Sequence, residues 1–332
     1  MELEREARAP RGIVGCLTAG FELVSRYVWL IALPVLLDLL LWLGPHLSIA
    51  PLLTEFVTFV RAQPYDPQVE SQVIQTLSML EDVGSQFNLL SLLSTVPLVN
   101  LPSLLGWHAT LAPSPLGEQP VVAIDNVLGL LGWSTLLIGL GLVLGIAYLT
   151  SLAQRVRQTE TADRDPASET ATLAVRLART LIFLMALLAI ALVLAPIWLV
   201  LVGAAAMIAI PLGMLAWFIS SGLVIYVALH LVFVIHSLLL GGRGFGQAFW
   251  ESFLLIRTNF LPAIGLLILI SVINNGLGFV WSLPANDSWT LLIGIMGNGC
   301  VATALTASTF IFYQERVSLL PSIRQLLKRT SA

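Results

Sequence analysis

Apolar and polar positions along this chain fall into blocks rather than a fine alternation, and the longest block sets the frame for the rest. Thr180 to Gly242 is 63 consecutive residues without Asp, Glu, Lys or Arg, bracketed by Arg179 and Arg243. At about 1.5 Å rise per residue, a helical run of that length equals roughly three bilayer hydrocarbon thicknesses. It predicts more than one membrane crossing. Basic residues collect on the cytoplasmic side and both flanks are basic, so the number of crossings is even, and a two-span hairpin is the simplest solution. The reversal is expected near Gly203 to Gly213. Arms of about 30 residues exceed the ~20 that a span needs, which predicts a break between Pro196 and Pro211.

The remaining blocks yield to the same reasoning. Residues 1–26 are a cytoplasmic segment in which Ile13, Leu17, Phe21 and Val24 recur at helical spacing, an amphipathic helix on the inner face. The first span is placed in 27–47, with Pro45 and His46 ending its helix. Residues 48–125 form an extracytoplasmic helical region. There Ile49, Leu52, Leu53, Phe56, Val57 and Val60 stripe one helix, with Ser48 as its cap. Val69, Val73, Leu77 and Leu80 stripe a second, starting at Asp66-Pro67. These two helices are expected to pack together or to lie on the membrane. Val83 to Gly117 is uncharged but cut by Pro97, Pro102, Pro113 and Pro115, which predicts an interfacial or re-entrant segment instead of a span.

The second span, 126–153, carries Gly141 and Gly145 as a G-x-x-x-G pair that permits close helix approach. A polar linker, 154–179, precedes the third and fourth spans in 180–242. An amphipathic segment, 243–259, precedes the fifth and sixth in 260–313, and 314–332 is a basic cytoplasmic tail. The fold class expected is therefore all-α: a polytopic membrane helix bundle with six transmembrane helices, a small helical extracytoplasmic insertion between helices 1 and 2, and amphipathic interfacial helices on the cytoplasmic side.

Composition agrees, with 57% hydrophobic and 11% charged residues and a mean hydropathy of +0.91. Charge placement fixes the expected sidedness. Six crossings from a cytoplasmic N-terminus put 15 of the 16 Lys and Arg residues inside, leaving Arg61 outside. A seventh crossing at Val83 to Trp107 would move the five arginines from Arg155 to Arg179 to the wrong side. The reading is a multi-pass protein of a bacterial cytoplasmic (inner) membrane with both termini cytoplasmic, its first apolar run an uncleaved anchor. Cys16 and Cys300 lie too far apart in depth to pair, and no metal motif is present.

Few residues in the apolar blocks can do chemistry. Asp38 stands near mid-depth of the first span, where a carboxylate calls for either a functional role or a buried partner. His230 and His236, six positions apart on one helix, point about 120° away from each other and do not form a metal site. His236, near the cytoplasmic end, is expected to meet headgroups, and His230 to hydrogen-bond a neighbouring helix. Asn274, Asn275 and Asn298, among Gly276, Gly278, Gly294, Gly297 and Gly299, either line a polar cavity or let two helices approach. Gly299, Thr303 and Ala307 mark the last span as a central packing helix. Gly241-Gly242-Arg243-Gly244 lacks the Lys-Ser/Thr of a P-loop and is read as a hinge.

Three times an amphipathic segment ending in Arg runs into a span: Gly15 to Arg26, Glu169 to Arg179 and Gly246 to Arg257, the first and third matching best. The third unit reads G-x-A-F-W-E-S-F-x-x-I-R-x-N-F-L-P, and the last span ends in F-I-F-Y-Q-E-R, Phe310 to Arg316. Over Gly244 to Arg316 this resembles the bacterial six-helix proteins related to YciC and the membrane domain attached to some glycerophosphodiester phosphodiesterases. The resemblance implies the six-helix architecture and carries over no catalytic residue. The expected function is a non-enzymatic envelope or lipid-related accessory protein, without cofactor, catalytic residue or nucleic-acid partner. Its expected partners are membrane lipids and a membrane protein or second copy. A transporter or permease subunit using Asp38 and broken helices 3 and 4, or a lipid-modifying intramembrane enzyme, are the alternatives.

Overall fold

The computed structural model describes residues 11–64, 67–95, 99, 101–106, 114–158, 166–241 and 244–330, with side chains left aside at 67–69, 166–173, 241 and 319–330. The expectations for Asp66, the Val69 side chain, Pro97, Trp107, His108, Pro113, Asp165, Gly242 and Arg243 lie outside these residues. The described residues are 82% helical. Among them, five helices are long and apolar enough to cross a membrane, or six if the bent pair Ile13–Arg26 and Val28–Leu43 counts as one broken span. Two compact units divide the chain.

One unit comprises Val24–Tyr148 and Ile270–Leu305. A 3-10 turn, Val28–Ile31, leads into α2, Ala32–Leu43, which comes after α1, Ile13–Arg26. Next come β1, His46–Ser48, then α3, Ala50–Arg61, and α4, Pro67–Gln86. β2, Val121–Ala123, pairs in parallel with β1, His46 opposite Val121. This short pairing is the one sheet among the described residues, and the hydropathy pattern does not predict it. The first part of α5, Val127–Gln158, the second half of α9, Phe260–Trp281, and the start of α10, Leu291–Thr330, complete the unit.

The insertion's two helices do pack on each other, α3 burying Val57 and α4 Leu77, with Arg61 and Glu81 paired at 2.8 Å. Ser48 is one residue short of the cap position. Its hydroxyl still accepts from the Ala50 N–H at 3.2 Å, while Ile49 occupies the cap. After α4 a 3-10 turn, Leu89–Leu93, opens an irregular stretch that buries Leu89, Leu90, Leu93, Val99, Leu101, Leu104 and Leu105. Here the G-x-x-x-G expectation is corrected. A Cβ at Gly141 would stand 2.7 Å from the Leu93 carbonyl oxygen, and one at Gly145 would collide with that of Val99. The pair admits irregular backbone instead of a second helix.

The other unit comprises Met1–Leu23, Leu149–Leu269 and Thr306–Ala332. Its centre is a hairpin of α6, Pro166–Ile208, and α7, Ile210–His236. The reversal falls at Ala209, whose extended backbone (φ −160°, ψ 133°) interrupts the helical ladder. Pro211 sits in the first turn of α7, where a missing N–H costs nothing. Glycine at position 213 lets the arms meet, since a Cβ there would lie 2.5 Å from that of Ala206. The break anticipated between Pro196 and Pro211 is the Ala209 reversal itself, and α6 runs through Pro196 without interruption. Neighbouring turns carry a proline inside an apolar helix at the loss of one backbone bond.

Residues 169–179 are continuous with α6, so the middle of the three repeat segments is not a separate element. The first and third are. Tyr27 (φ −127°) separates α1 from the 3-10 turn that leads into α2, and Asn259 (φ −129°) separates α8, Phe245–Thr258, from α9. A π-helical turn, Ser237–Gly241, closes α7.

Candidate functional site

Asp38 is completely buried on α2. Its two carboxylate oxygens accept from the Ser103 hydroxyl, from the Leu104 N–H at 2.9 Å and from the Leu105 N–H at 3.1 Å. Ser103 Oγ also accepts from the Gly106 N–H at 2.9 Å. Irregular chain inside a bundle has N–H groups that no helix satisfies, and each left bare costs about 1–3 kcal/mol. An acceptor-only carboxylate meets several at once. Asp38 is thus a clasp that fastens residues 103–105 to α2. Asn88 does the same at the other end, its Oδ1 accepting from Leu47 and Leu90 N–H groups at 3.1 Å each.

Neither histidine takes the role expected of it. His236 does not face headgroups. It is buried, with Nδ1 at 3.1 Å from the Val232 carbonyl and Nε2 at 2.8 Å from Thr309 Oγ1 on α10. A carbonyl only accepts, so Nδ1 carries the hydrogen, and the one Thr309 hydroxyl hydrogen is shared between Nε2 and the Thr306 carbonyl, 2.7 Å away. Phe310 and Phe233 pack on its ring, with centroids 4.2 and 5.3 Å away. His230 bonds its own helix, Nδ1 to the Tyr226 carbonyl at 2.8 Å, and its ring lies between those of Tyr226 and Phe253. The Ser252 hydroxyl donates to the His230 carbonyl.

The asparagines do not gather. Asn274 and Asn275 are exposed on α9, Asn275 bonding the Ser271 carbonyl at 2.8 Å, whereas Asn298 is buried on α10. The neighbouring glycines also diverge. Gly276 and Gly278 face open space, but Gly294 and Gly297 lie against Trp281, and Gly299 against Val35 and Ile31. α10 packs as expected at Thr303, which is fully buried with the Tyr148 hydroxyl at 3.1 Å from its Oγ1.

Three arrangements were not foreseen from sequence. Glu251 on α8 accepts from Ser237 Oγ at 2.8 Å and from the Tyr313 hydroxyl at 3.0 Å. Glu251 and Tyr313 belong to the two quoted motifs, F-W-E and F-I-F-Y-Q-E-R, so these motifs meet at one carboxylate. Arg257, Tyr226 and His230 with Phe253, Ile256 and Phe260 line a cavity of about 410 Å³. Cys16 on α1 is buried, and burial first, then the Glu315 carboxylate, pushes its thiol up to about 11. No group of three or more His, Cys, Asp or Glu that could hold a metal occurs among the described residues.

Compared with families of known proteins, with curated proteins and with solved structures, the chain matches none.

Proposed function

We propose that this chain is a six-span protein of the bacterial cytoplasmic membrane, with both termini inside, acting as a non-enzymatic envelope or lipid-related accessory protein. The observation that carries this reading is the engagement of Asp38. A carboxylate that moves solute or protons needs an accessible, exchangeable position, whereas this one is buried and holds three donors of a neighbouring segment. Apart from the reversal at Ala209, α6 and α7 are unbroken, which weighs against the other argument for a transporter. Glu251 and His236 are likewise occupied by hydroxyl partners, which weighs against either of them as the base of an intramembrane enzyme. The motif likeness to YciC-related proteins supports the same architecture.

The reading is tested in two parts. In a chain with Cys16 and Cys300 replaced by Ala, Gln75→Cys on α4 and Met207→Cys at the hairpin turn react with an impermeant maleimide in intact cells, and Thr18→Cys reacts only after permeabilisation. In proteoliposomes, no panel solute shows a flux that disappears with Asp38→Asn. A flux with that dependence reinstates the transporter.

A further inference from the structure

The cavity between α7, α8 and the start of α9 is set apart from the other polar sites by the state of its groups. Elsewhere, the polar groups of Asp38, Glu251 and His236 are bonded to hydroxyls or to backbone. Here three are not. Arg257 makes no ion pair among the described residues. The Tyr226 hydroxyl has no hydrogen bond there, and His230, having committed Nδ1 to the Tyr226 carbonyl, keeps Nε2 as an acceptor with no partner. Ile256 and His230 form the buried floor, at 1% and 7% exposure, while Tyr226 and Phe260 stand open at the rim. About 410 Å³ is within the range of small-ligand sites.

The lining states what would fill it. It holds one cation and no acid, so the complementary group is an anion. A hydroxyl beside a guanidinium suits phosphate oxygens. An acceptor nitrogen farther in asks for a hydrogen-bond donor attached to that anion. The aromatic walls Phe253 and Phe260 suit a small organic body in between. Depth and surroundings indicate the source. His230 lies six residues from the end of α7, about 9 Å along the axis, the level at which amphipathic helices and headgroups meet. Leu223 and Ile219, three and seven residues before Tyr226, are both 62% exposed and continue its face along the helix, a surface for acyl chains.

We propose that this cavity binds the head of an anionic phospholipid whose phosphodiester meets Arg257 and Tyr226 and whose head carries a hydroxyl donating to His230 Nε2, as phosphatidylglycerol does. The proposal rests on the reading of α7 as a membrane span, which the impermeant-maleimide labelling tests separately.

The experiment is native mass spectrometry of the full chain released from detergent, titrated with palmitoyl-oleoyl phosphatidylglycerol, with the matching phosphatidylmethanol, which keeps the charge but lacks the hydroxyl, and with water-soluble glycerophosphoglycerol. Phosphatidylglycerol is expected to bind about tenfold more tightly than phosphatidylmethanol, the effect of one hydrogen bond. Arg257→Ala should weaken both lipids about tenfold or more, Arg257→Lys should recover part of that, and His230→Phe should abolish the preference between them while leaving phosphatidylmethanol unchanged. Melting temperature, read on every variant, separates lost binding from lost folding. Equal binding of the two lipids by the wild type, or an unaltered preference in a folded His230→Phe chain, overturns the proposal. So does glycerophosphoglycerol competing as well as the lipid, which would make the site one for a soluble phosphodiester.

Discussion

α6 and α10 are both long apolar helices, yet one is written for lipid and the other for protein. The apolar window of α6, the most hydropathic of the five candidate spans, is 0% buried, and that of α10, the least hydropathic, is 61% buried. α6 exposes Leu192, Val193, Val200 and Leu201. α10 instead buries Asn298, Thr303, Ala304, Ala307 and Ser308. Apolar side chains gain little by leaving lipid for another apolar helix, so contacts between spans rely on close approach and on polar pairs. The lesson is that hydropathy finds the candidate spans, but in α10 it falls where the helix has protein neighbours. The residues that lower it are the ones that specify packing.

The strongest way to break this contrast is to remove a polar partner from a buried site. Asp38→Ala leaves the Leu104 and Leu105 N–H groups bare, each at a cost of about 1–3 kcal/mol, and is expected to be the most destabilising of these changes. Asp38→Asn, which retains one acceptor, should cost less. Thermal unfolding in detergent, with limited proteolysis of residues 101–106, checks both. Next come the glycines of α5. Gly145→Ala must displace the Val99 backbone and is expected to cost about 1–3 kcal/mol. Gly139→Ala, six residues earlier and facing open space, should be neutral or stabilise by up to about 1 kcal/mol through helix propensity. Their difference in melting temperature sharpens the contrast within a single helix.

Smaller still is the Tyr148–Thr303 bond. Tyr148→Phe should cost about 1 kcal/mol, whereas Leu192→Val or Val200→Leu on α6 should move stability by no more than about 0.5 kcal/mol in either direction. A sizeable loss from the α6 changes would mean that α6 has a protein neighbour. The smallest effect concerns Cys16. A thiol held near pH 11 is almost wholly protonated at neutrality, so maleimide labelling of the folded chain should be slow at pH 7.5 and quicken about tenfold per pH unit. Its folded pKa lies above the unfolded one. The associated stability is therefore present below about pH 8.5 and drains as pH rises toward 11. Cys16→Ala should remove that alkaline slope in melting temperature.

Most of the helix pattern could be read from sequence because it depends on local matters. α9 begins and ends at Phe260 and Trp281 as the apolar run does, and the hairpin reverses inside the expected Gly203 to Gly213 window. The stripes of α3 and α4 announced their mutual packing. What could not be read was pairwise and distant. Nothing near Asp38 points to Ser103, since hydrogen bonds between residues so far apart leave no periodicity. Gly141 and Gly145 announced close approach but not its partner, because a missing side chain suits irregular backbone as well as a helix. The β1–β2 pair, three residues to a strand, is too short to carry an alternation. The two histidines were assigned by depth alone, and wrongly, because rotation about α7 decides which one meets α10.

The Asp38 clasp also sets a clock. Its carboxylate precedes Ser103 by 65 residues in the chain. At a synthesis rate of about 5–20 residues per second, α2 exists for about 3–13 s before its partner has been made. During that interval α2 carries an unmet acid and is poorly suited to lipid. Its lasting placement must wait for residues 103–105 to be made and docked. The order of assembly therefore runs backwards relative to the order of synthesis: the insertion arrives first, and only then is the helix that preceded it secured.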